Sequence, residues 1–374
     1  MQEAADEETY FRGAQQIVEV GLEVLPNLTQ GLVSAGDDAE RVEITYIIAS
    51  ILAPTMRTDE AIDEIRLTDD RGFTIGRVGF TVELYFKGGE TVERRTALAA
   101  IVRDYHGFFG KELTHYLKVD ANRLSRICDD TYIDHYAQQA EALPPEEPFD
   151  AGVFGYPGGA VVDEPVPVSM SFSAAGTEPL MPLGLSYLSV YFPASFVAAH
   201  GYVHFVETTR RWAASLEAAH GTAGYSVLLE HGEFGAGGVR ALMPALKRFP
   251  GLDFSDPGMF LVEASAADAA SIESINWLTV LGDDALTRLG GAEEIAQRLG
   301  PACQVHLYPT GAILLAGDVP QLGDGSRAIV PDEYRRIAQT VRPIRFSGYK
   351  RGLFVLGGGE DEREETRKWL QRFN

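Results

Sequence analysis

The chain has 374 residues, 45% hydrophobic and 23% charged, which is enough to bury one large core or two modest ones without covalent staples. Asp and Glu number 54 against 32 Lys and Arg, so the formal net charge is −22 and the pI is about 4.7. That field disfavours direct nucleic-acid binding and suits either a basic partner or plain solubility. The first nine residues, MQEAADEET, have no basic start or apolar stretch, and the apolar windows at 46–53 and 187–192 fall short of the ~20 residues that span a bilayer. A cytoplasmic protein without a membrane span is expected. Cys128 and Cys303 lie too far apart in sequence to suggest a disulfide framework or a cysteine-only metal site, and both are expected to be buried as small apolar residues.

In chain order, residues 3–24 and 40–52 read as helices, the second stopped by Pro54, and they make an N-terminal helical extension over 1–64. Strands are expected at 62–68 and 73–86 around an Asp69–Gly72 turn, the second alternating through Val78, Phe80, Val82, Leu84 and Phe86. A helical stripe follows through Leu98, Val102, Tyr105, Phe109, Leu113 and Tyr116, with Gly107 and Gly110 as points of interruption. LPPEEPFD at 143–150, followed by GVFGYPGG, is the best boundary, and it divides a core over 65–374 into sub-modules 65–143 and 151–350. Beyond it, strands are expected at 166–173, 186–192, 225–231, 259–264, 277–281, 304–308 and 313–316. Helices are expected at 194–219, 239–247, 292–299, 332–341 and 361–373. The segments beginning at Val82 and Leu188 both run strand, Tyr-Phe, turn, long helix, so an internal duplication is one reading. Hairpins mixed with scattered helices indicate an α+β fold with mixed, mainly antiparallel sheets and packed helices.

Catalytic and cofactor motifs fail on inspection. His200 and His204 in HGYVH stand one turn apart and could face one ion, but a protease-type zinc motif needs Glu where Gly201 stands, so no metal is assigned. His135 beside Asp134 and His231 beside Glu230 are sequence neighbours whose side chains diverge on a helix or strand. GEFGAGG at 232–238 lacks the dinucleotide spacing, and no Gly-Lys-Ser/Thr or Gly-x-Ser-x-Gly occurs. No catalytic residue and no cofactor is expected.

Several stretches nonetheless resemble one family. SYLSVYFPASFVAAHG from Ser186, HGTAGYSVLLEH from His220, RFPGLDFSDPG from Arg248, INWLTVLGDDALTRLGG from Ile275 and PDEYRRIAQTVRPI from Pro331 are similar, in order, to type VI secretion system immunity proteins. VGFTVELYFKGG from Val78 is similar to the family's first strand, so the resemblance runs from about 76 to 350, and residues 1–64 lie outside it. The resemblance implies a cognate antibacterial effector as partner, neutralised by stoichiometric blocking. With the acidic charge it implies a basic, cytoplasm-acting nuclease. The matching motifs themselves read as scaffold: Pro193 ends a strand and starts a helix, Trp277 fills a core, and Asp283 or Asp284 caps the next helix.

Partner contacts are therefore expected on acidic loops outside those motifs. Glu146, Glu147, Asp150, Asp163 and Glu164 stand among prolines and should be exposed, with Asp268, Glu273, Asp283 and Asp284 as a second set. An enzyme that reverses toxin damage and a small-molecule-binding module are the rival readings. The enzyme would need clustered titratable groups in a deep pocket.

Overall fold

The computed structural model describes residues 58–119, 121, 123–177, 184–230, 238–354, 356 and 361–374. The two N-terminal helices expected before residue 58, His231 and the glycines of 232–237 lie outside these residues. Eleven α-helices are present among those described: α1 Thr58–Asp63, α2 Val92–Phe109, α3 Thr131–Ala142, α4 Ala194–His200, α5 Tyr202–Leu216, α6 Gly238–Arg248, α7 Pro257–Glu263, α8 Asp283–Arg288, α9 Ala292–Leu299, α10 Asp332–Val341 and α11 Glu362–Leu370. The strands are β1 Arg66–Thr68, β2 Thr74–Phe86, β3 His115–Leu117, β4 Leu124–Arg126, β5 Phe149–Phe154, β6 Ser169–Ala174, β7 Ser186–Phe192, β8 His220–Leu228, β9 Leu278–Gly282, β10 Gln304–Tyr308 and β11 Gly311–Leu315.

All eleven strands join one sheet in the order β10-β11-β9-β8-β2-β7-β6-β5-β3-β4, with β1 added beside β2, and every ladder is antiparallel. The fold is thus α+β. The 143–150 segment connects α3 to β5 within that sheet, so strands from both sides of the expected boundary share one set of ladders. The two segments compared for duplication sit side by side, with Val82 opposite Val190 and Leu84 opposite Leu188. After their helices the paths differ: β8 returns to pair with β2, whereas β3 docks on β5.

Alternation along β2 sets the two faces of the sheet. Phe80, Val82, Leu84 and Phe86 are fully buried beneath α2, α4 and α5, where Phe80 meets Phe205 at 5.2 Å and Phe192 meets Tyr105 at 5.6 Å between ring centroids. Each fully buried ring of this kind contributes roughly 1.5–3 kcal/mol. Thr91 caps α2, accepting from the amide of Arg94, and α3 is held by Tyr136, whose hydroxyl lies 2.5 Å from Leu117 O and 2.9 Å from Gly152 O. The helix expected over 194–219 is two helices, because Gly201 takes φ 88° and ψ 143°, a conformation that L side chains avoid. Asp63 caps α4 from outside, accepting from the amides of Ala194 and Ser195.

The opposite face carries Tyr85 and His220, stacked at 4.5 Å and covered by Phe260 of α7. The segment 259–264, expected as a strand, is the helix α7. Asp256 accepts from the amide of Met259 and Pro257 opens the first turn, which together start a helix. Cys303 is buried as expected, but Cys128 is exposed, since it sits in the open turn between β4 and α3. The C-terminal helix is anchored by Arg372, which reaches back to Asp253 at 2.8 Å, to Ser274 and to the carbonyls of Pro250 and Ile275, and lies over the Trp369 ring at 3.7 Å.

Both members of the Arg372–Asp253 pair are buried, and burial pushes the Asp253 carboxyl up and Arg372 down to about 10. Desolvation therefore offsets much of the attraction, and the pair matters most when one half is removed. Arg372→Met should cost about 3–5 kcal/mol in urea unfolding, and Asp253→Asn combined with it should cost less than the two single changes summed. A single change costing under about 1 kcal/mol would contradict this role for the pair.

Candidate partner-binding surface

The C-terminal end of β2 opens into a cleft of about 350 Å³. It is walled by Lys87 and Gly88 after the strand, Thr91 and Arg94 at the start of α2, Glu217 after α5, Ala270, and Asp283 and Asp284 at the start of α8. Two ion pairs cross it, Lys87 with Asp284 at 3.1 Å and Arg94 with Glu217. Exposed pairs of this kind contribute ~0–1 kcal/mol, so their arrangement is more informative than their strength. Asp283 and Asp284 occupy the first turn of α8, where the helix dipole favours them, and Gly282 stands at the cap position expected for one of them.

Beside the cleft, Arg95 organises the acidic proline loop. It is fully buried and donates to Gly89 O at 3.0 Å, Leu143 O at 2.7 Å, Pro144 O at 3.0 Å and Glu147 O at 2.6 Å. Five donors in a fixed fork let one side chain tie the 143–147 loop to the start of α2. Glu146 and Glu147 stand exposed on that loop, and Asp150 is exposed at the start of β5. Asp150 lies on the rung Asp150, Ser173, Tyr187, Tyr85, His220, Leu281, at the same end of the sheet as Asp283. Five strand spacings of about 4.8 Å separate β5 from β9, so these acids fringe a front roughly 24 Å wide, comparable to one side of a standard protein interface. Glu146, Glu147 and Asp283 have no ion pair among the described residues.

The nine acids expected to bind a partner are thus divided. Glu146, Glu147, Asp150, Asp283 and Asp284 share the β2 end, and half-buried Asp268 lies two residues from Ala270 on the cleft wall, accepting from the amide and hydroxyl of Ser265. Asp163 and Glu164 are at the other end: Glu164 lies 3.8 Å from Arg77, nine residues from Phe86 along β2, or about 30 Å away. Asp163 is exposed and Glu164 half-buried. Glu273 is misplaced by the sequence reading altogether, being 4% exposed and facing the inside. Lys87, Arg94, Arg95 and Glu217 were not anticipated, and nothing in their local pattern distinguishes them from ordinary helix-end charges.

Glu273 belongs instead to a buried ring of four oxygens. Tyr85 Oη lies 2.5 Å from Glu83 Oε1 and 2.5 Å from Glu273 Oε2, while Ser255 Oγ lies 2.5 Å from Glu83 Oε1 and 3.0 Å from Glu273 Oε2. Three short contacts and one long one fit three protons: Tyr85 and Ser255 donate to ionised Glu83, and protonated Glu273 donates to Tyr85. Burial pushes the Glu83 carboxyl up to about 7, and burial together with the charge of Glu83 holds Glu273 well above the carboxylate range. Tyr349 adds a contact to Glu273 at 3.3 Å. The ring fastens the segments around Ser255, Glu273 and Tyr349 onto β2. His135 and Asp134, adjacent on α3, share no hydrogen bond, and among the described residues no three His, Cys, Asp or Glu gather as a metal site. No described helix is long and apolar enough to cross a membrane.

The family model described as TsiV, type VI immunity for VRR-NUC, matches residues 97–373. A solved Pseudomonas aeruginosa protein, T6SS protein PA0821, is similar in fold, with TM-score 0.68 and 18% identity over 80% of this chain and 83% of that one. No curated protein matches.

The raised carboxyl of Glu83 fixes the sign of a pH dependence. A carboxyl whose pKa rises from about 4.5 unfolded to about 7 folded binds more protons when folded between those values, so its contribution is whole below 4.5 and is lost as pH rises through 7. Unfolding free energy should fall across that window with a slope of at most about 1.4 kcal/mol per pH unit from this group, added to the fall that Glu273 contributes, and Glu83→Gln should make the slope shallower. A wild-type profile rising through the window, or one unchanged in Glu83→Gln, would count against the ring.

Proposed function

Since the chain belongs to the TsiV family of type VI immunity proteins for VRR-NUC, we propose that it protects its cell by binding a VRR-NUC nuclease effector one to one, through the acidic front at the end of β2. The observation that carries the surface is the convergence of Glu146, Glu147 and Asp150 from one segment and Asp283 and Asp284 from another, far along the chain, onto one sheet end. A nuclease presents cationic groups to nucleic-acid phosphates, and carboxylates held on a rigid sheet complement them. Loops on such a scaffold keep their contacts preorganised, which lowers the entropic cost of association. Blocking of this kind requires no catalytic group. The carboxyls of Glu83 and Glu273, raised by burial, are inside the fold and serve to hold it.

Co-expression with the effector encoded alongside it should restore growth, and the two chains should co-purify. Inhibition of the purified nuclease should break sharply at one chain per nuclease. Full protection far below one to one would point to an enzyme that reverses damage. Replacing Glu146, Glu147, Asp283 and Asp284 together by Lys should slow association about tenfold or more and flatten its salt dependence, with stability changed by only about 0.5 kcal/mol per site. The pair Asp163→Lys and Glu164→Lys serves as the internal control. Slowing by the control pair and not by the four-site variant would move the surface to the opposite end of the sheet.

A further inference from the structure

The joint between α4 and α5 brings two histidines over a small aromatic cavity. Gly201 breaks the helix, yet His200 and His204 remain neighbours, with ring centroids 6.0 Å apart. Phe196 stacks on His200 at 4.0 Å and Phe108 meets His204 edge-on at 5.7 Å. Between them lies a cavity of about 10 Å³, room for one water-sized occupant. Thr208 lines the same cavity, is 2% exposed, and its Oγ1 is buried with no hydrogen-bond partner. An unsatisfied hydroxyl at that depth costs roughly 1–3 kcal/mol.

We propose that His200 and His204 form a two-imidazole site for a divalent transition-metal ion of the zinc, nickel or copper class. The tautomer of His200 is fixed for this role: Nδ1 lies 2.9 Å from Phe196 O, a pure acceptor, so Nδ1 carries the hydrogen and Nε2 presents its lone pair. Metal-bound histidines are held in this way, the second nitrogen donating to a carbonyl. The His204 ring makes no hydrogen bond among the described residues, and both residues are exposed. With metal–nitrogen bonds of about 2.0–2.1 Å, two imidazoles on one ion place their centroids about 5–6 Å apart, and the observed 6.0 Å is compatible with that spacing. Water would complete the coordination. Imidazole ligands favour these ions over magnesium or calcium, which take oxygen. A bound ion would join α4 to α5 across a joint that only glycine can form, and the joint covers Phe192 at the centre of the sheet.

The test is titration of the untagged full chain with zinc sulfate by calorimetry, alongside thermal unfolding with and without zinc. One zinc per chain is expected, with a rise in Tm that magnesium chloride does not produce. His200→Gln and His204→Gln should each weaken binding by more than about tenfold, since even the outer partners of metal ligands are worth about 10–100-fold. His306→Gln, on β10, should bind as wild type. If a variant fails to fold, zinc should still protect His200 and His204 of the wild-type chain from diethylpyrocarbonate, read by peptide mass. No heat at millimolar zinc, wild-type affinity in both variants, or equal modification with and without zinc would overturn the site.

Discussion

Strand β2 must satisfy two environments at once, and the rest of the molecule follows from how it does so. Its even-numbered residues face an aromatic layer under α2, α4 and α5, where burial of apolar surface is the whole requirement. Its odd-numbered residues Glu83 and Tyr85 face inward on the other side, where a bare charge would be expensive and each oxygen must find a proton or give one. Ser255, Glu273 and Tyr349 supply the partners, and the three segments that carry them are thereby laid across the sheet. Arg372 performs the corresponding task for Asp253 and brings the C-terminal helix onto the same face.

This arrangement links the interior to the surface. The segment fixed at Glu273 also contains Ala270, a wall of the cleft, and Asp268, which braces the turn beside it through Ser265. On the other flank, Arg95 performs the same service for the loop bearing Glu146 and Glu147. The exposed carboxylates at the end of β2 are thus presented by backbone that buried hydrogen bonds hold in place. On the proposal that this front blocks a nuclease, the exposed charges would govern encounter and the rigid frame would limit the ordering cost.

Much of this was legible in the sequence where local pattern and tertiary environment agree. Residues 292–299 and 332–341 were expected as helices with the observed limits, and the alternation of 73–86 announced β2. The family was legible too, through motifs that form the strands and helices of the scaffold. The three-residue strands β3 and β4 carry too few residues for any periodicity, and β5 was hidden by the prolines before it. Helix α3 had a signal in Tyr132, Tyr136 and Ala140 at steps of four, and α7 had one in the Asp256-Pro257 start, overridden by the apolar run after it. Glu273 shows the harder limit: a glutamate in SIESINW gives no local indication that a tyrosine and a serine far along the chain will enclose it. Nor could spacing reveal that Asp163 and Glu164 fold away from Glu146 and Glu147, because the direction of β2 decides it.

Amide hydrogen exchange of this protein alone and bound to the proposed VRR-NUC effector tests the central claim most directly, since it maps the covered surface without altering a residue. The account predicts slowed exchange at 143–150, 217–219 and 283–288, the backbone that surrounds the acidic end of β2, with 157–167 unchanged. Protection concentrated at 157–167, with the β2 end exchanging as in the free protein, would contradict it.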